Sequence, residues 1–281
     1  MSLGNDVRAV LAGAEARLGA AGCETPRVDA ELLLAHVLRT TRSALRSDER
    51  RELAAVELDD LERLLTRREA REPLAHVLGE WGFRNLLLQV DRRALVPRPE
   101  TEIVVERCLA QLRGIESPRV LDVGTGSGAI ALAIADEHAG AHVMAIDVSE
   151  DAVELAGENA RRLQLEVEVE VERHDLFDGL PEGPWDLVVS NPPYVRAEDI
   201  GRLAPEVREW EPRAALVGEG ATEAIAEHAR SVLNAGGALV LETADGDAER
   251  VAELLRARGY RDVVVTHDLT GRERVVEGRV A

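Results

Sequence analysis

An α/β fold, with a mostly parallel sheet flanked by helices on both faces and a small helical bundle ahead of it, is what this sequence predicts. Three observations carry the prediction. Beyond Pro99, short apolar runs rich in β-branched residues alternate with helix-period stretches, which is the pattern of βαβ units sharing one sheet. From Val7 to Arg71 the apolar residues recur at helical spacing only. The length of 281 residues exceeds the usual single domain, leaving room for one large domain and a smaller partner.

The elements follow in order. Leu32, Leu33, Leu34, Val37 and Leu38, then Leu53, Val56, Leu61, Leu64 and Leu65, mark the buried faces of a helical bundle. The N-terminal segment "MSLGNDVRAVLAGAEARLGAAG" has the pattern of an amphipathic helix, Pro26 suits the start of a second helix behind Thr25, and "RTTRSALRSDERREL" supplies polar breaks and caps. The run "PLAHVLGEWGFRNLLLQVDRRALVPRPE" changes to short β-like pieces broken by Gly79, Gly82 and Asn85, so a hairpin is expected. The expected division is residues 1–72 as the helical domain, 73–97 as the hairpin linker and 98–281 as the sheet domain. Within the last, strands are expected at 119–124, 142–147, 167–172, 186–191 and over "GALVLET". Helices are expected at 128–139, 149–163, 221–234 and 246–258, with an antiparallel hairpin from "YRDVVVTHDLTGRERVVEGRV" at the sheet edge.

Composition narrows the function. No apolar run approaches the roughly 18 residues of a membrane helix, and the N-terminal stretch lacks the apolar core of an export signal, so a soluble, cytoplasmic chain is expected. Cys23 and Cys108 stand singly without a CxxC pair, which argues for buried thiols and against a zinc site or a disulfide framework. The net charge is −19 and all 34 basic residues are arginine, a balance that argues against broad capture of nucleic acid. Arginines do concentrate between Arg39 and Arg71, where a solvated helix face paired with Glu49, Glu52, Glu62 and Glu69 is expected rather than a polyanion site.

Two sites carry chemistry. In "VLDVGTGSGAIALAIA" a strand runs into Gly124, Thr125, Gly126, Ser127 and Gly128 and then into an apolar helix, so the turn can wrap a ligand at a helix N-terminus. The Walker lysine is absent, which removes the nucleotide triphosphatase reading. The next strand ends on Asp147, where a carboxylate can hold the two hydroxyls of a ribose, with Ser149 free to cap the following helix. Together they predict an adenosine-bearing cofactor at the C-terminal edge of the sheet. The strand "DLVVSN" then stops on Asn191, Pro192, Pro193 and Tyr194 at the same edge. Prolines fix φ and donate no N–H, leaving carbonyl oxygens free, and the Asn191 amide oxygen adds a second acceptor. Two fixed acceptors match the hydrogens of a planar –NH2 group, with Tyr194 against its flat face. Such a pocket suits methylation of a conjugated nitrogen by positioning and electrostatics, with neither a metal nor a histidine base required.

Read in order, the "GTGSG" turn, the acidic end of the second strand, "HDLF" at 174–177 and "SNPPYV" resemble the S-adenosylmethionine-dependent amino-methyltransferases. "VPRPETE" at 96–102, "EPRAALVGEG" at 211–220 and "HDLTGRERVV" at 267–276 narrow the resemblance to the peptide chain release factor glutamine methyltransferases, over nearly the whole chain. The resemblance implies a Rossmann-like seven-stranded class I methyltransferase sheet. It implies methyl transfer from S-adenosylmethionine to the glutamine of the Gly-Gly-Gln loop of bacterial class I release factors. Gly124, Thr125, Gly126, Ser127 and Gly128 would contact the methionine part, Asp147 the ribose, and Leu176 beside Asp175 the adenine. Asn191, Pro192, Pro193 and Tyr194 would hold the acceptor, residues 98–102 would lie near the cofactor's amino-acid end, and the helical domain would dock the release factor. A monomer without membrane or direct nucleic-acid partners is expected. The chain departs from the family pattern at "ETADGDAER", which lacks a glutamine, at "ATEAIAEHAR", and at Leu176, where an aromatic is common.

Two enzymatic alternatives remain at this stage, besides a non-enzymatic platform that binds the cofactor without turnover and ranks last. A glutamine methyltransferase of ribosomal protein shares the catalytic loop, and an adenine amino-methyltransferase shares the acceptor geometry. The acidic charge stands against the second, because phosphate contacts dominate nucleic-acid affinity.

Overall fold

The computed structural model describes residues 5–281, and residues 1–4, where the expected N-terminal helix was taken to begin, lie outside the described residues. It forms two compact units, one running up to Gly79 and including Ala204–Trp210, the other Glu80–Leu203 with Glu211–Ala281.

The first unit is built from α1 (Val7–Ala20), α2 (Pro26–Val37), α3 (Arg42–Ser47), α4 (Ala55–Glu69) and α5 (Leu74–Leu78), joined by α9 (Pro205–Trp210) from later in the chain. Local chemistry sets the helix starts. Asp6 caps α1 by accepting from the Ala9 amide at 2.8 Å, Pro26 opens α2, and Glu57 reaches back to the Ala54 amide at 2.8 Å to start α4. Leu11, Leu18, Leu33, Leu34, Leu45, Leu61 and Leu65 form its core.

Arginine pairing is denser than expected and uses other acids. Arg17 bridges Glu62 and Glu69, and Arg27, Arg42 and Arg46 converge on buried Glu31. Arg68, itself buried, meets Asp29 at 2.8 Å and Glu206 at 2.9 Å, while Arg71 meets Glu206 at 2.6 Å. The pairing expected from Glu62 and Glu69 is therefore directed at Arg17, outside the arginine-rich stretch.

The second unit opens on the hairpin β1 (Glu80–Phe83) and β2 (Leu86–Gln89), then α6 (Glu102–Gln111). Next come β3 (Arg119–Val123), α7 (Ala129–Glu137), β4 (His142–Asp147), α8 (Glu150–Leu163), β5 (Val169–Arg173) and β6 (Trp185–Ser190). A short α10 (Arg213–Leu216) precedes α11 (Ala221–Val232), β7 (Leu233–Glu242), α12 (Ala248–Ala257), β8 (Arg261–His267) and β9 (Glu273–Arg279). The seven-stranded sheet has the order β5-β4-β3-β6-β7-β9-β8, parallel from β5 to β7, with β9 antiparallel to both neighbours. The chain winds outward from β3 to β5 and then resumes on the other side at β6, so the switch point lies at the C-terminal end of β3.

Helices α11 and α12 close one face over Leu121, Val123, Val188, Leu239 and Leu241. On the other face Asp122 meets the backbone of α7 at Ala131. Cys23 and Cys108 are both buried free thiols. Among the described residues no helix is long and apolar enough to cross a membrane.

Candidate active site

The parallel register decides what meets at the switch point. Val123 pairs with Ser190 across β3 and β6, so the glycine turn and Asn191 leave the sheet side by side, and Ser190 Oγ donates to the Val123 carbonyl at 2.6 Å. Gly124, Gly126 and Gly128 all have positive φ, which glycine adopts without strain. At Gly128 a Cβ would sit 2.9 Å from the Leu132 side chain, so close packing also requires glycine there.

The turn is held from three sides. Buried Asp122 accepts from Thr125 Oγ1 at 2.7 Å, and burial pushes its carboxyl up to about 7. Asp147 Oδ2 accepts from the Gly126 amide at 3.0 Å and its Oδ1 from the Ser149 amide at 3.0 Å. Burial raises the Asp147 pKa against the pull of these donors. Ser149 itself caps α8 through the Ala152 amide at 3.3 Å, which leaves Asp147 available to a ligand. The third support comes from α8, where fully buried Asn159 donates to the Ser127 carbonyl at 2.9 Å and exchanges hydrogen bonds with the Gln89 backbone.

A cavity of about 340 Å³ runs along this edge. Gly124, Thr125, Gly126, Ser127, Asp147, Asp175, Leu176, Asn191 and Pro193 line it. Gly128, Pro192 and Tyr194 do not: Gly128 caps α7, Pro192 is buried beneath the loop, and Tyr194 stands 39% exposed beside it. Loss of hydration at the Tyr194 hydroxyl, with the nearby Glu242 carboxyl, pushes its pKa up to about 12, so the phenol is neutral.

The proline loop is clamped rather than loose. The Val195 amide donates to the Leu216 carbonyl at 2.9 Å, and a Cβ on Gly218 would fall 2.2 Å from Cγ of Pro193. The "EPRAALVGEG" segment that supplies Gly218 is itself tied to "VPRPETE" by Arg98, whose Nη2 reaches buried Glu211 at 2.6 Å. Thr101 of that motif accepts from Asn191 Nδ2 at 3.4 Å and donates to Glu242 Oε2 at 2.7 Å. The amide nitrogen of Asn191 is thereby engaged, and Oδ1 remains as its acceptor end.

Sequence reasoning missed several of these residues. Leu176, expected against adenine, lines the cavity while also packing on the core under α11, and Phe177 beside it, not singled out from the sequence, lines the cavity too and is 58% exposed. An exposed aromatic in a chain with only seven aromatics was the available signal. Glu211, Glu242 and Asn159 carried no local signal, because each acts through a partner distant in the chain, and Asp122, which meets nearby Thr125, reads in sequence as an ordinary strand residue.

The residues fit a methyl donor of the adenosyl sulfonium type. Carboxylates at Asp147 and Asp175 suit hydroxyl and amine donors, and Ile130, Ile146, Val148 and Phe177 form an apolar wall.

Comparisons with known proteins place the chain in a family. The family model described as the PrmC N-terminal domain matches residues 9–79, and that of the methyltransferase small domain matches residues 100–206. The release factor glutamine methyltransferase of Deinococcus radiodurans is 44% identical, with 98% of this chain and 99% of that protein covered. That of Escherichia coli is 40% identical, with 91% and 93% covered. A solved structure of a release factor-specific protein-(glutamine-N5) methyltransferase from Alicyclobacillus acidocaldarius matches at 31% identity and a TM-score of 0.41, covering 69% of this chain and 99% of that one. With identity of this order sustained over nearly its full length, the chain belongs to the release factor glutamine methyltransferase family.

Proposed function

We propose that this enzyme transfers a methyl group from S-adenosylmethionine to the side-chain amide nitrogen of the glutamine in the Gly-Gly-Gln loop of class I peptide chain release factors. The observation that carries the reading is the pairing of two half-sites in one cavity: the glycine turn with Asp147 on one side, and Asn191 on its rigid proline loop on the other.

Asp147 would bind the ribose hydroxyls, the glycine turn would receive the methionine part, and Phe177 rather than Leu176 would cover the adenine. S-adenosylmethionine, when bound, supplies an electrophilic methyl carbon on a sulfonium sulfur. Asn191 Oδ1 and a carbonyl of the proline loop would each accept one N–H of the glutamine amide, while Tyr194 at the rim would border the acceptor. An amide nitrogen is a poor nucleophile because its lone pair is delocalised into the carbonyl. Fixed acceptors on both N–H groups favour the pyramidal nitrogen of the transition state, and they require no rearrangement as the reaction proceeds. The rigid loop sets the direction of approach, and orientation supplies a further part of the rate. Once methylated, the nitrogen is acidic enough to lose its proton to water.

The helical unit would dock the release factor. Its arginines Arg17, Arg27, Arg42, Arg46, Arg68 and Arg71 are engaged by Glu15, Glu31, Glu62, Glu69, Asp29 and Glu206, which supports a protein partner over a polyanion. The test is to incubate the purified chain and labelled S-adenosylmethionine with release factor, ribosomal protein and DNA in parallel. Label on the glutamine of the release factor loop is expected, and label on DNA or ribosomal protein alone refutes the reading.

A further inference from the structure

We infer that Thr101 and Glu242 are positioning residues that decide which end of the Asn191 amide faces the acceptor, a role that rests on the methyl-transfer reading of this site. Thr101 and Glu242 are 5% and 2% exposed, so water does not compete for their hydrogen bonds. A carboxylate can only accept, so at Glu242 the single hydroxyl proton of Thr101 is committed to Oε2, at 2.7 Å. The Thr101 oxygen then has only lone pairs to offer, and the one group of Asn191 that can meet it is the –NH2, at 3.4 Å. Oδ1 is left as the free end, the polarity that a glutamine N–H requires.

Protonating Glu242 permits the opposite polarity. A carboxylic acid can donate to Thr101, whose own proton is then released to be donated to Asn191 Oδ1. In that state the –NH2 of Asn191 is the free end and opposes the N–H groups of the acceptor. One proton thus selects between an accepting and a rejecting asparagine.

The surroundings keep both states within reach. Burial disfavours the Glu242 charge; the Thr101 hydrogen bond and the cations Arg274, on β9, and Arg98 favour it; Glu100 opposes it. The balance leaves the carboxyl at about 7. Tyr194, which also faces it, stays neutral, since its pKa is pushed up to about 12. Val275 pairs with Glu242 from β9 and contributes no charge. The accepting state therefore belongs to the ionised carboxylate, above about pH 7, and is lost as the pH falls through that value. A purely structural tie between the 99–101 turn and β7 would need neither the polarity nor the titration.

The experiment uses the full chain with isotope-labelled asparagine, the Asn191 side-chain signals being assigned by their loss in Asn191→Ala. Between about pH 5.5 and 8.5, the Asn191 –NH2 signals are expected to titrate with a midpoint near 7 in the wild type. They are expected to titrate likewise in Thr101→Ser and to be pH-independent in Glu242→Gln and Thr101→Val. In parallel, kcat on release factor should fall at least about tenfold from pH 8 to 6 in the wild type and by clearly less in Glu242→Gln, where Asp122, also near 7, still titrates. Thr101→Val should lose about tenfold in kcat at pH 8, with unchanged affinity for S-adenosylmethionine, and Thr101→Ser should restore it. Asn191 signals that do not respond to pH in the wild type, or that still titrate in Glu242→Gln, overturn the inference. Failure of the wild type to methylate release factor while Asn191 still titrates would strike the proposed function and leave the Glu242–Thr101–Asn191 chain standing.

Discussion

Replacing Gly218 by alanine tests whether acceptor positioning depends on the contact beneath the proline loop. The added Cβ would lie 2.2 Å from Cγ and 3.1 Å from Cβ of Pro193, whereas ordinary contact begins near 3.4 Å, so the two segments must separate by about 1.2 Å. A proline ring cannot rotate out of the way, and its neighbour Pro192 fixes φ as well, so the displacement passes along the backbone to Asn191. The Gly218 side cannot easily yield either, because its segment is held by the Val195–Leu216 hydrogen bond and the Arg98–Glu211 ion pair. A misplacement of about 1 Å in a positioned reactant costs on the order of a hundredfold in rate, equivalent to about 2.7 kcal/mol of barrier. Single-turnover methyl transfer to release factor at saturating S-adenosylmethionine measures it directly. Gly201→Ala, where a Cβ meets nothing within 4 Å, is the matched control. A Gly218→Ala enzyme that turns over at the wild-type rate refutes the claim that the loop is positioned by this contact.

Other substitutions separate the two half-sites. Asn191→Ala should abolish methyl transfer in a product-formation assay and leave S-adenosylmethionine affinity, measured by calorimetry, largely unchanged. Asp147→Asn should weaken that affinity by about tenfold to a hundredfold, since a hydrogen bond to a charged group is worth about 1.5–3 kcal/mol. A wild-type dissociation constant would remove Asp147 from the cofactor site. Phe177→Ala should weaken donor binding by about two- to tenfold, the scale of an aromatic contact of about 0.5–1.5 kcal/mol. For the helical unit, burial opposes the charge on Glu31, but hydrogen bonds from Arg42 and Arg27 and the charge of Arg46 outweigh it and hold its carboxyl at about 2, below the ordinary 4.5. The stabilisation is complete above pH 4.5 and is lost as pH falls toward 2, so the melting-temperature gap between wild type and Glu31→Gln should close across that range. A gap that persists unchanged at the acid end contradicts the assignment.

The strands of the sheet were legible because continuous β-branched runs bounded by glycine have few other uses. Their ends moved by a few residues for local reasons. Strand β3 stops at Val123 because Gly124 takes a φ of +75°, and β7 begins at Leu233, ahead of the expected Gly237, because Leu233 pairs with Trp185 across a bulge. Helices α9 and α10 escaped notice, since six and four residues are too few to establish a helical period. In the candidate site, Asn191 and Asp147 stood out because their chemistry is written in consecutive residues at strand ends. The Arg98–Glu211 and Thr101–Glu242 pairs did not, since their members lie 113 and 141 residues apart in the chain and only the tertiary fold brings them together.

The return of Ala204–Trp210 to the helical unit has a consequence for biogenesis. Arg68 is buried early in the chain, but one of its two carboxylate partners, Glu206, follows 138 residues later. As the polypeptide leaves the ribosome, Asp29 alone offsets the charge of Arg68, and Arg71 lacks the Glu206 carboxylate that both arginines share until most of the sheet has been synthesised. A fragment cut after Gly79 would forfeit the ion pairs of Glu206 with Arg68 and Arg71 for good.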